Sequence, residues 1–181
     1  VAASAGGLQK REFIIQRYGE RLSTVVALAE AIINKHRRLI DSGSVTDAEA
    51  RKAAMEELRA LRYDSGNGYV WINNSEMPVP RMIMHPFERN LEGKDLDLPQ
   101  YEGEIDGVRK NVFVAFVEAC ERTGSGYVSY DWPKPLPDGK MTPARFPKLS
   151  YVKRIEGWDW IIGTGVYTDE AMDRIKDDIS K

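Results

Sequence analysis

YVWINNSEMPVPRMIMHP, running from Tyr69 to Pro86, reads as two short strands joined by a polar turn. In Tyr69-Val70-Trp71-Ile72 the strand formers are consecutive rather than alternating, which predicts a strand covered on both faces. Asn73-Asn74-Ser75-Glu76 has turn composition. Pro78 and Pro80 hold the backbone extended as far as Arg81, the last charge before Met82-Ile83-Met84. The second strand ends at His85, one of only two histidines in the chain. A hairpin that buries Tyr, Trp and His together serves either as plain core or as one wall of a pocket.

Upstream, apolar residues recur at helical spacing from Leu8 to about Asp41: Ile15, Tyr18, Leu22, Val25, Ala29, Ile32, His36 and Leu39. Val26, Ile33 and Ile40 widen this stripe beyond a coiled-coil seam, so part of it should pack on the domain's own core. At 1.5 Å per residue the helix is about 50 Å long. His36, on the stripe, reads as a packing or helix-end residue. Gly43 ends the helix, and Thr46 with Glu49 forms a capping box that starts a second one, to about Arg62, with Ala50, Ala53, Ala54, Leu58 and Leu61 inward.

Downstream, Phe87 to Gly107 is a long polar stretch anchored by Leu91, Leu96, Leu98, Tyr101 and Ile105. Irregular stretches of that length inside a compact domain are usually functional. Asn111 to Arg122 has the period of a third helix. Three strands follow, Tyr127–Trp132, Lys148–Ile155 and Trp160–Tyr167, with Pro133–Pro147 as a hairpin loop and Glu156–Asp159 as a tight turn. Hairpin connections make this part of the sheet antiparallel. A last helix is predicted from Thr168, carrying Ala171, Met172, Ile175 and Ile179 on one side.

The chain has 181 residues, 42% of them apolar, a length and composition that support a sizeable core. A net charge of −2 gives no reason to expect nucleic acid as a partner. One cysteine, Cys120, excludes an internal disulfide and a cysteine-based metal cluster. No apolar run reaches the roughly 20 residues of a membrane span. Residues 1–7, small and without an initiator Met, read as a linker remnant at the cut edge of a longer protein.

Catalytic motifs are missing: neither histidine nor the cysteine has a partner at a motif spacing, and there is no G-x-S-x-G, H-E-x-x-H or phosphate-binding loop. Gly163-Thr164-Gly165, within a strand, reads as space left for something packed close. The strands and the long loop instead concentrate tyrosine and tryptophan, side chains with an apolar body and a polar tip that suit a small pocket. Lys148 at the start of one strand and His85 at the end of another add polar groups fit to receive a carboxylate.

YVWINN, MIMHPFERNLEGKDL, GYVSYDWPKP and PKLSYVKRIEGWDWIIGTGVY, all after a long N-terminal helix, resemble the single, type-two Cache domains that lie outside the membrane in bacterial methyl-accepting chemotaxis receptors and sensor kinases. The resemblance runs from about Leu8 to Lys181. It implies an α+β, PAS-like fold: a long N-terminal helix on a five-stranded antiparallel sheet, forming one ligand-sensing domain over residues 8–181. It implies no enzyme and no cofactor, but a periplasmic portion of an inner-membrane receptor that binds acetate, propionate or a pyruvate-like acid. A homodimer through the first helix is a further expectation. By position in these motifs Tyr69, Trp71, His85, Tyr101, Tyr130, Trp132, Lys148 and Tyr151 are the implied pocket residues, with Lys148 facing the carboxylate and the Tyr101 loop as a lid. Lys148 and Tyr151 differ in parity along one strand, so a regular pleat cannot aim both into one pocket. Rival expectations are the same fold sensing an amine or amino acid, a small-molecule enzyme, and a dimerisation module with a filled core.

Overall fold

The computed structural model describes residues 5–170, 173, 177 and 180. Helix α1 (Ala5–Asp41) is followed by α2 (Asp47–Ala60), then strands β1 (Trp71–Asn74) and β2 (Met82–Met84). Next come β3 (Glu102–Ile105), β4 (Val108–Asn111) and α3 (Val112–Glu121), and then β5 (Ser125–Pro135), β6 (Met141–Ile155) and β7 (Trp160–Tyr167). The main sheet has the order β2-β1-β7-β6-β5 and is antiparallel throughout, with β3 and β4 as a separate hairpin. The expected α+β architecture, a long first helix on five antiparallel strands, is therefore present. Ala171, Met172, Ile175 and Ile179 of the expected last helix lie outside the described residues.

The sheet separates two apolar layers. Val26, Ala29 and Ile33 of α1 and Ala54 and Leu58 of α2 pack with Val70, Ile72 and Ile162 on one face. Phe113, Phe116 and Val117 of α3 pack with Tyr69, Trp71, Val128, Tyr130, Trp132 and Val152 on the other. Consecutive apolar residues in the opening hairpin thus divide between two cores, as a strand covered on both faces requires. A bulge between Ile72 and Asn73 breaks the alternation opposite β2, and Met82 and Met84 lie in different cores.

Local rules account for the helix ends. The Thr46 side chain accepts from the Glu49 N–H while a Glu49 carboxylate oxygen accepts from the Thr46 N–H, completing the capping box. His36 is buried between α1 and α2, its Nε2 2.9 Å from Glu57 Oε1. Gly19 of α1 lies beneath Tyr127 of β5, where a methyl group would come within 2.7 Å of the phenol oxygen. The outer side of α1 keeps Phe13, Leu28 and Leu39 in solvent.

Two expectations are revised. The segment expected as a loop after Trp132 is mostly strand, because β5 and β6 extend toward each other and leave a short turn. The long polar stretch holds two single 3₁₀ turns and the first strand of the β3–β4 hairpin. Its first half runs back along the free edge of β2: Met82 N–H donates to Lys94 O, Gly93 N–H to Met82 O and Leu96 N–H to Pro80 O. That cover removes an open strand edge.

Candidate ligand-binding site

The face of the sheet under α3 carries a cavity of about 10 Å³, lined by Tyr69, Trp71, His85, Phe113, Phe116, Tyr130 and Trp132. That is room for about one water. α3 forms the roof. Asn111 caps it, Oδ1 accepting from the N–H groups of Phe113 (2.8 Å) and Val114 (3.1 Å), while Nδ2 donates to Leu96 O at 2.7 Å. One side chain therefore fixes the roof to the long loop. The Tyr101 ring of that loop stacks beside Trp132 and meets Phe113 edge-on.

Lys148, 2% exposed, reaches this face from β6. Its Nζ donates to Tyr69 Oη at 3.0 Å and lies 4.2 Å from the Tyr69 ring centre, with the rings of Trp71 and Tyr167 at 5.3 and 5.1 Å. Among the described residues no carboxylate lies within 4.0 Å of it. Burial pushes its ammonium down to about 7, against a weaker upward pull from Glu88. Aromatic faces soften the cost of that charge but do not neutralise it.

The glycines of β7 make room for this arrangement. A methyl on Gly163 would come within 2.5 Å of Trp71 Cη2, and one on Gly165 within 2.7 Å of Lys148 Cε. The G-x-G expectation of space for a close neighbour is met twice.

His85 is 2% exposed, and burial holds its imidazole neutral, at about 3. Its Nδ1 accepts from the backbone N–H groups of Phe87 (3.2 Å) and Glu88 (3.0 Å). That places the ring proton on Nε2. Nε2 points toward Glu88 Oε2, 3.6 Å away and too far for a good hydrogen bond. Tyr69 and Tyr130 are held well above the usual phenol range by burial and remain donors; Tyr130 Oη and Ser150 Oγ are 2.8 Å apart. The Trp71 N–H is committed to Asn73 Oδ1 at 3.0 Å.

Five of the eight residues expected together line this cavity, Tyr69, Trp71, His85, Tyr130 and Trp132, and two more touch its walls, Lys148 at Tyr69 and Tyr101 at Trp132. Tyr151 is the exception. It lies on the opposite face, packed against Tyr127 at a ring distance of 5.0 Å and against the α1 layer. No bulge intervenes between Lys148 and Tyr151 in either ladder of β6, so the pleat sends them to opposite sides.

A larger groove of about 350 Å³ runs between the first turns of α1 and the β3–β4 turn. Its charges, among them Lys10, Glu104, Asp106 and Asp131, are of both signs and exposed. The buried Tyr130 and Lys148 line it as well, so the groove abuts the smaller cavity, but only the smaller one adds His85 and the aromatic enclosure that suits a small ligand.

A family profile described as the Cache domain matches residues 7–181. The chain belongs to the Cache family. This Cache domain is 34% identical over 159 residues to the methyl-accepting chemotaxis protein McpP of Pseudomonas putida, an alignment that takes in 88% of the chain but 27% of McpP. The chain thus spans about a quarter of that relative's length. Among solved structures, one described as the structural basis for carboxylic acid recognition by a Cache chemosensory domain is 35% identical, with a TM-score of 0.71 over 86% of this chain and 97% of that one. A periplasmic sensor domain of a chemotaxis protein is 38% identical, with a TM-score of 0.66 over 82% of this chain and 96% of that one. These relatives are sensory, which makes this Cache domain a sensor module of the chemoreceptor kind.

Phe113 and Phe116 also line the cavity of the Cache domain, and Ser150, Tyr167 and Glu88 stand beside Tyr130, Lys148 and His85; none was among the expected pocket residues. Phe113 and Phe116 look like ordinary helix core from their spacing. Ser150 shares the parity of Lys148, a signal that was available. Tyr167 sits at the end of β7 with its hydroxyl donating to Pro133 O. Glu88, three residues beyond His85, turns back toward it, a turn no periodicity announces.

Proposed function

We propose that this Cache domain is the extracytoplasmic ligand-sensing part of a membrane receptor and that it binds a short carboxylic acid such as acetate, propionate or pyruvate. The observation that carries this reading is Lys148: a buried amine with, among the described residues, a single hydrogen-bond partner and no counter-charge in contact. A ligand carboxylate would complete it, accepting from Nζ and from the hydroxyls of Tyr69 and Tyr130, with the His85 Nε2–H as a further donor. Trp71, Trp132 and Phe116 would enclose the short alkyl part. The present volume requires the Tyr101 loop to yield on entry, which makes that loop the lid. Kinship to a carboxylic-acid-recognising Cache domain supports the same reading.

Signalling follows from differential affinity: the acid shifts the receptor only as far as it binds one conformation more tightly than the other. Tyr167 lies beside Lys148 where β7 ends, and Lys134 of β5 pairs with Asp169 and Glu170 just beyond it. Those contacts make the chain after β7 the natural output. The exposed apolar residues of α1 are the natural homodimer surface. Residues 8–181 would act as one sensing unit, with no catalysis of their own.

Calorimetric titration with acetate, propionate, pyruvate and lactate tests the reading, beside Lys148→Ala as control. Heat of binding for at least one acid, lost in the variant, is the expected result. No binding of any of them by the wild-type domain would refute it. Glu88 gives one ground for a second reading, a small amino acid whose ammonium faces that carboxylate. Glycine and alanine in the same titration decide between the two.

A further inference from the structure

Lys148 and Glu88 each reach a different polar group of the site: Lys148 Nζ donates to Tyr69 Oη at 3.0 Å, and Glu88 Oε2 lies 3.6 Å from His85 Nε2. Lys148 is the deep end, 2% exposed, whereas the Glu88 side chain, beside His85, is 25% exposed and marks the shallow end. Yet Glu88 Oε2 is itself buried and, among the described residues, accepts no hydrogen bond. Buried carboxylate oxygens without donors are uncommon and call for an explanation.

The neighbours of Glu88 supply one. It faces His85, which is neutral; burial raises its carboxyl above the ordinary value, and Lys148 and Arg145 of β6 pull it partly back down. The Tyr101 hydroxyl lies near enough to feel it in turn. The other nearby cations are engaged elsewhere: Arg59 holds Glu92 through both its terminal nitrogens, and Arg62 lies over the Phe87 ring at 4.5 Å. Arg145 is a rim residue, donating to Gln100 O beside Trp132. With one ligand carboxylate bound, that carboxylate and Glu88 balance Lys148 and Arg145. A second ligand carboxylate would leave one uncompensated negative charge in a desolvated site.

We propose that Glu88 is a specificity-determining residue: its carboxylate at the shallow end admits a short monocarboxylate and turns away a dicarboxylate of the same length. This rests on the carboxylate reading above and adds a reason for the charge that sits opposite the lysine. Like charges a few ångströms apart in such surroundings change affinity by about tenfold to a hundredfold.

Propionate and malonate have the same number of carbons and differ in the second carboxylate. Calorimetry with both, at one pH near 7.5, on wild type, Glu88→Gln and Glu88→Asp is the test. Expected is a wild-type preference for propionate of about tenfold or more, which Glu88→Gln reduces by at least about tenfold and Glu88→Asp retains. An unchanged preference in Glu88→Gln overturns the proposal, as does a wild-type protein that binds malonate as tightly as propionate. If the wild type binds none of acetate, propionate, pyruvate and lactate, the carboxylate reading itself fails. Binding of acetate or propionate with an unaltered ratio in the variant removes only the role of Glu88.

Discussion

Lys148 Cε occupies the space that a side chain on Gly165 would fill, with 2.7 Å between it and the nearest methyl position. The two residues belong to neighbouring strands, and the missing side chain on β7 is what lets a long cationic chain lie flat across the sheet. The charge is therefore carried on a rigid element rather than on a loop, which keeps its position well defined.

Gly165→Ala should damage both stability and binding. The added methyl would also meet Leu149 O at 2.7 Å, and a backbone carbonyl cannot swing aside. A loss of about 1–3 kcal/mol in urea unfolding is expected from such overpacking. Displacement of Nζ should weaken acid binding by about tenfold or more in calorimetry, the usual scale for misplaced binding groups. Gly163→Ala, which forces the Trp71 ring to move, should cost a similar amount of stability.

Lys148→Met should abolish acid binding while leaving the unliganded domain at least as stable as wild type. The fall of the Lys148 ammonium from 10.5 to about 7 corresponds to a charge cost on the order of 5 kcal/mol. An apolar side chain of similar length avoids that cost, and gains of about 1–4 kcal/mol have precedent when buried charges are replaced. Thermal unfolding below pH 7 measures it. A variant that melts well below wild type would show that the lysine stabilises the fold.

Acid binding should weaken as pH rises. Below about pH 7 the free domain already carries a charged Lys148; above it the lysine is neutral and must take up a proton as the carboxylate enters. Affinity should then fall by up to about tenfold per pH unit between pH 7 and 9. Titration in buffers of different ionisation heat should show about one proton taken up at the upper end. A flat profile would contradict a charged lysine as the receiver.

His85 predicts loss of stability in acid. Its folded value of about 3 lies below the ordinary 6.5, so the unfolded chain binds a proton that the native state refuses. The contribution is complete above pH 6.5 and declines by about 1.4 kcal/mol per pH unit as pH falls toward 3. His85→Gln should flatten this part of the pH–stability curve. Nitrogen NMR should find a neutral ring protonated on Nε2 across pH 5 to 8.

Much of this was legible from residues. Period, capping pair and terminal glycine mark α1 and α2, and unbroken strand formers mark β1 as covered on both faces. The reach of β5 and β6 was hidden by Pro133, Pro135 and Pro147. Prolines argue against a central strand, but β5 is at the sheet edge and β6 pairs with β7 only from Lys148 onward, so none interrupts a ladder between two neighbours. Glu102 to Asn111 concealed the β3–β4 hairpin because its residues are mostly polar and give no alternation. In the site, parity flagged that Lys148 and Tyr151 could not share a face, although it could not choose between them. Glu88 was invisible because its place depends on a turn around the His85 ring rather than on any repeat.

The notch at Gly19 bears on how α1 could move. Tyr127 rests in it toward the middle of the helix, while Arg37, 18 positions on, lies over the Trp158 ring near the C-terminal end. Two pegs about 27 Å apart index the rod against the sheet. Sliding by a whole turn would unseat both at once, whereas a small pivot about the first would disturb only the second. For a sensor of this shape, tilt is the cheaper motion and piston travel the dearer one.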